Sequence, residues 1–287
     1  MSVPFTAIES LQEAAATALK DGTVAVVIGY GREAGADIAT PLFVRNPDDA
    51  GRLVFDAGCF GNLAVYLSKK EVRRLGRPGL VVKGCDLRAV NVLLREHVIK
   101  RDEVFLIGVR CGGVGDPQRP KCAVCEAHNP QGCDVVVGET VSQPEIDRAA
   151  RYRAAQDIAS RSLEERWEFW RGQLSKCVRC YACRQVCPLC YCKRCIVEKT
   201  QPRWVESSAH LRGNVAWNAA RAFHLTGRCV GCGECERVCP MNIPLNAINQ
   251  QGAKLVEEWL GFESGLAPDE RAPFTAWSPD DPENGIL

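Results

Sequence analysis

Two stretches of the chain repeat one arrangement of thiols. Cys177, Cys180, Cys183 and Cys187 are followed by Pro188, and Cys229, Cys232, Cys235 and Cys239 by Pro240. Both follow the spacing C-x2-C-x2-C-x3-C-P. Thiolates at this spacing bind iron. Three on a tight loop reach three irons of one 4Fe-4S cubane, and the fourth leads away and ligates the neighbouring cubane. The proline keeps the chain from folding back at that point. The two runs are therefore expected to exchange their last ligands. One cluster takes Cys177, Cys180, Cys183 and Cys239; the other takes Cys229, Cys232, Cys235 and Cys187. Zinc is the competing metal, but its sites use four ligands in paired C-x2-C hooks, not two runs of four ending in Cys-Pro.

This stretch resembles bacterial two-cluster ferredoxin domains. It departs from them in a long insert, residues 189–228, which holds Cys190, Cys192 and Cys195.

Four more cysteines stand where loops should follow strands. Cys85 comes after LVVKG, Cys111 after VFLIGVR, and Cys122 and Cys125 form a C-x2-C hook. In open parallel sheets, sites gather beyond the carboxyl ends of strands. Two adjacent strand ends and a nearby hook could thus supply four thiolates around a third cubane, with four unrelated buried thiols as the plainer reading. The strings VVKGCDLRAVNVLL, FLIGVRCGG and KCAVC resemble the beta-subunit family of deazaflavin-reducing hydrogenases and formate dehydrogenases, over residues 20–138. The resemblance implies a 4Fe-4S cluster on Cys85, Cys111, Cys122 and Cys125. Gly112 and Gly113 would let backbone amides approach it.

The resemblance also implies a flavin, FAD, held by a glycine-rich N-terminal segment. This chain departs there: residues 5–22 (FTAIESLQEAAATALKDG) contain no Gly-Gly pair, and Gly29-Tyr30-Gly31 reads as a turn. FAD, and the deazaflavin reduction that needs it, are not expected of this chain.

Cys59, Cys133, Cys190, Cys192 and Cys195 remain. A fourth 4Fe-4S cluster on Cys59, Cys190, Cys192 and Cys195 would bridge the two halves of the chain. Free thiols, or thiols beside the other clusters, are the competing reading. Cys133 reads as an ordinary buried thiol. His97, His128, His210 and His224 sit in no nucleophile or zinc pattern and read as solvated or core histidines. Lys176, Arg179, Arg184, Lys193 and Arg194 crowd the first run. A solvated basic face is the plain reading; a dock for an acidic redox partner is the sharper one. The tryptophans read as core or interface residues.

These cysteines need a scaffold. Residues 23–30 (TVAVVIGY), 80–83 (LVVK), 104–109 (VFLIGV) and 134–137 (DVVV) are apolar runs typical of buried parallel strands. Residues 86–97 have helical periodicity, with Asp86 as N-cap. The expected fold is an α/β N-terminal domain with a mostly parallel sheet (1–143) carrying the third cluster. A single connector helix opened by Pro144 (144–173), an α+β dicluster ferredoxin-like domain (174–262) and an extended tail (263–287) follow. Helices are expected over 207–225 and 246–260.

Composition sets the outer bounds. Seventeen cysteines in 287 residues is far above ordinary usage, and eleven fall within 177–239. Residues 1–20 carry no basic stretch followed by an apolar core, and no apolar run approaches the ~20 residues a membrane helix needs. A reducing cytoplasm is expected, where clustered cysteines bind metal rather than form disulfides. A net charge of +1 gives no general pull toward nucleic acid.

The expected function is an iron–sulfur electron-transfer subunit, relaying single electrons within a larger anaerobic redox complex. Hydrogenase, formate dehydrogenase and heterodisulfide-reductase-like assemblies are the candidates, and the other subunits of such a complex are the expected partners. The alternatives are a flavin-containing oxidoreductase subunit acting on a deazaflavin or nicotinamide, marked by bound flavin, and a colourless zinc-stabilised interaction module.

Overall fold

The computed structural model describes residues 6–143 and 145–273. Helix α1 (Thr6–Lys20) precedes strands β1 (Val26–Gly31), β2 (Thr40–Val44) and β3 (Pro78–Val82). Helix α2 (Gly84–Arg95), strand β4 (Phe105–Val109) and strand β5 (Val135–Val137) follow. The sheet order is β2-β1-β3-β4-β5, parallel except for the antiparallel edge pair β1–β2.

The four expected strands are present. β1 and β3 are buried along their whole length, which is why they read as continuous apolar runs. Strand β2 was not anticipated. It is an edge strand, mostly exposed, and Pro41 is tolerated there because an edge residue can go without a ladder hydrogen bond. Helix α1 was not anticipated either, although Ala7, Leu11, Ala15 and Ala18 form a buried helical stripe. Gly29 and Gly31 make no turn. They lie inside β1, where a Cβ on Gly29 would meet Leu53 Cδ2 at 2.5 Å.

Between the sheet and the cysteine runs the expected single helix is two. Helix α3 (Arg153–Ala159) and helix α4 (Leu163–Ser175) are separated at Ser160–Ser162, where Ser162 caps α4 by accepting from Glu165 N at 3.2 Å. Pro144 lies outside the described residues. Helix α5 (Leu211–Leu225) fills the insert, and helix α6 (Leu245–Leu260) follows the second run.

No strand occurs among the described residues after Val137, so the expected α+β character of the second domain is not seen. Helices enter and leave the runs: α4 ends two residues before Cys177 and α6 begins at Leu245. This leaves no extended flanks to pair. The expected tail lies outside the described residues beyond position 273. No described helix is long and apolar enough to cross a membrane.

Candidate metal centres

Neighbouring strands β3 and β4, in register at Val82 and Gly108, deliver the N-terminal cysteines. Cys85 lies in the first turn of α2. Asp86 is not the N-cap; it stands in the first turn and accepts from Lys83 N at 3.2 Å, which closes the helix start. Gly84 is needed here, because any Cβ would lie 1.8 Å from Ala127 O. That close approach brings the loop after Cys125 against the helix bearing Cys85. Cys111 donates its backbone N–H to His128 O at 2.9 Å.

Cys85, Cys111, Cys122 and Cys125 line one cavity, together with Lys83, Lys121 and His128. Backbone amides of Gly113, Val114 and Ala127 lie 3.4 Å from the sulfurs of Cys111, Cys122 and Cys125. Amide dipoles aimed at sulfur favour the thiolate. Lys83 is buried, pairs with Asp86 at 2.8 Å and bonds Tyr30 Oη, which puts a fixed positive charge at the rim. The Nδ1–H of His128 donates to Cys111 O at 2.7 Å, while its Nε2 is buried without a protein partner.

The two ferredoxin-like runs share one backbone shape. Arg179 and Tyr181 in the first, and Gly231 and Gly233 in the second, all have left-handed φ values, between 57° and 72°. These positions wrap the loop around its thiols. The second run meets the requirement with glycine. The first meets it with side chains held from the insert: Arg179 donates to Gly213 O at 2.6 Å and Glu206 O at 3.1 Å and lies over the Trp217 ring. A one-turn helix follows in each, Ala182–Gln185 and Glu234–Arg237, and carries the chain on to Cys187 and Cys239.

Cys187 of the first run lines one cavity with Cys229, Cys232 and Cys235 of the second, and Arg221 of α5 lines it too. Asn249 and Gln250 of α6 donate to the sulfurs of Cys235 and Cys229 at 3.5 and 3.7 Å. In the other set, Cys177 and Cys180 are close enough to act on Cys183, and Cys177 and Cys239 pack on the apolar group containing Cys183 and Trp217.

Two of the donor sets line cavities, and their chemistry fits an iron–sulfur cubane. Burial pushes the thiols up: Cys111 to about 11, with Lys83 opposing; Cys183 to about 11; Cys235 to about 12. Thiols held this high are no nucleophiles, and only a bound metal charge would ionise them. Among the described residues no three of His, Cys, Asp and Glu converge closely enough for a single metal ion. Two of the thiol sets instead line cavities, whose walls also include His128 and Arg221, each with a buried nitrogen, His128 Nε2 and Arg221 Nε, that lacks a protein partner.

The two halves meet at the cysteines. Lys121 donates to Cys232 O at 2.8 Å, and one cleft is lined by Cys85, Cys122, Cys125 and Cys232. Further out, Glu96 takes Tyr191 Oη and Arg228 Nε, the latter at 2.8 Å, and Glu263 takes Arg88, Arg148 and Arg151.

The expected set of Cys59, Cys190, Cys192 and Cys195 has members in different settings. Cys59 is fully buried in its own loop, its sulfur 3.4 Å from Asp56 N and 3.8 Å from Val54 O, and burial lifts it to about 12. Cys190 instead hydrogen-bonds Cys187 and Arg221, while Cys192 is exposed. The loop 54–59 closes on itself around Cys59. Cys133 is half-buried.

His128 is a cavity residue and not merely a core histidine; His210 caps α5 by accepting from Gly213 N at 3.2 Å. The basic group is not one solvated face. Arg179 is buried and Arg184 pairs with Glu198, leaving Lys176, Lys193 and Arg194 exposed. Trp217 is core, whereas Trp167, Trp204 and Trp259 are exposed. Lys121, His128, Arg221, Asn249 and Gln250 had no spacing signal, since contacts across the fold define them.

Comparison with known proteins agrees with the chemistry. Residues 173–243 match the 4Fe-4S dicluster domain family, which is similar in kind to the paired cysteine runs. The resemblance to the formate dehydrogenase beta subunits extends over most of the chain. It is 24% identical to the F420-dependent formate dehydrogenase subunit beta of Methanocaldococcus jannaschii, over 86% of this chain and 88% of that protein. It is 23% identical to the F420-dependent formate dehydrogenase 1 subunit beta of Methanococcus maripaludis, over 83% and 86%.

Proposed function

We propose that this chain is an electron-relay subunit of a formate-dehydrogenase-like complex in the cytoplasm, with three 4Fe-4S clusters in series. The first is held by Cys85, Cys111, Cys122 and Cys125. The second is held by Cys229, Cys232, Cys235 and Cys187, and the third by Cys177, Cys180, Cys183 and Cys239. When bound, such clusters supply one-electron storage. The protein's part is to hold them close, exclude water and fix charges near their sulfurs.

The observation that carries the reading is the shared cavity of Cys187 with Cys229, Cys232 and Cys235. It supports the ligand exchange that the spacing calls for. The Lys121–Cys232 contact adds continuity between the first and second groups. The third group has an exposed member, Cys180, which makes it the natural end for exchange with a partner subunit. A redox titration followed by electron paramagnetic resonance tests the reading. Three separate one-electron signals are expected; two or fewer would contradict it.

A second reading has one observation in its favour. The cleft between Cys85, Cys122, Cys125 and Cys232 has a volume of about 620 Å³, and Arg88, Lys121, Arg151 and Arg153 contribute to its walls. A flavin there would make the chain a flavin-containing oxidoreductase subunit, acting on a deazaflavin or nicotinamide. Flavin released from purified protein, measured against protein concentration, decides between the two.

A further inference from the structure

Arg221 sits in the insert helix α5 and is 4% exposed. Its Nη2 donates to Cys183 O at 3.3 Å, and its side chain lines the cavity of Cys187, Cys229, Cys232 and Cys235. It also hydrogen-bonds the thiols of Cys190 and Cys235. The charges that bear on it most are cysteines, namely Cys235, Cys187, Cys190 and Cys183, rather than carboxylates. Its Nε is buried with no protein partner. A guanidinium is costly to bury unless negative charge lies beside it. Here the neighbouring groups belong to both cysteine sets, Cys183 to one and Cys187 and Cys235 to the other.

We propose that Arg221 is a shared electrostatic clamp that raises the reduction potentials of both dicluster centres. Reduction adds one electron to a cluster, with no bond made or broken, and makes the site more negative. A fixed positive charge in a dry interior favours that state. One side chain reaching ligands of both clusters moves both potentials together. The inference rests on the dicluster reading, whose own failure would appear separately as missing iron and sulfide.

The test is a redox titration of the full chain, followed by paramagnetic resonance, on protein with its full iron complement. R221M is expected to shift both dicluster midpoints to more negative potential and to leave the N-terminal centre in place. R221K, which keeps the charge, is expected to stay near wild type. Unshifted midpoints in R221M, or an equal shift in R221K, would overturn the proposal. A purely structural role would cost clusters or stability without moving potentials. If R221M does not retain its clusters, R221Q, which keeps a polar side chain without the charge, decides in the same titration: a negative shift of both dicluster midpoints supports the proposal, and unshifted midpoints overturn it.

Discussion

Lys121 Nζ lies 2.8 Å from the carbonyl oxygen of Cys232, joining the hook of the N-terminal cysteine group to the loop of the second run. The same ammonium is 3.9 Å from Glu234 and acts on Cys85 as well as Cys232. It is a fixed charge between two proposed clusters. K121M should therefore lower the potentials of the N-terminal centre and of its dicluster neighbour while leaving the Cys177 cluster alone. A redox titration reads all three; a uniform shift, or none, would contradict the arrangement.

Ligand exchange between the runs makes an asymmetric prediction. Cys187→Ala would remove a proposed ligand of the cluster assigned to Cys229, Cys232 and Cys235, so that centre should be lost or converted while the Cys177 cluster keeps its signal. Cys239→Ala should do the reverse. If each substitution instead damages the cluster of its own run, the exchange is wrong. Iron content should fall by about four atoms per lost cluster.

Cys59 should be dispensable for iron. Its sulfur contacts only its own loop in the hydrogen-bond pattern, at Asp56 and Val54. C59S should keep the wild-type iron count, with a stability loss of about 1 kcal/mol from placing a hydroxyl in a buried site. A loss of about four irons would restore the four-cysteine bridge.

Glu263 gives the packing a pH dependence. Burial alone would raise its carboxyl, but Arg88, then Arg151 and Arg148, outweigh this and hold it below the usual carboxylate range. A depressed folded value stabilises above the unfolded pKa, and that contribution is lost as pH falls through the folded value. Acid should thus loosen residues 263–266 from α2, where Asn91 Nδ2 donates to Gly265 O at 3.1 Å. Because acid also protonates cluster ligands, E263Q at neutral pH isolates the effect. It should cost about 3 kcal/mol and speed amide exchange in this segment; unchanged exchange would show that the three arginines do not depend on the carboxylate.

The parts legible in the sequence were those fixed by local rules. Cys-Pro spacing gave the paired runs, and continuous apolar runs gave β1, β3, β4 and β5, because both signals lie within a few residues. Strand β2 escaped because its apolar run, Leu42–Val44, is short, follows Pro41 and lies on a mostly exposed edge, and Gly29-Tyr30-Gly31 misled because glycine serves tight packing as well as turns. Cys59 could not be placed from spacing alone; its glycine-flanked loop turns inward. Arg221, Lys121 and His128 are set by approaches between distant segments, with 38 residues separating Arg221 from Cys183 and 111 separating Lys121 from Cys232.

The measurement that bears most directly on the account is iron and acid-labile sulfide per chain in anaerobically purified protein. The account predicts about twelve of each, three cubanes per chain. Colourless protein holding zinc and no sulfide would contradict it.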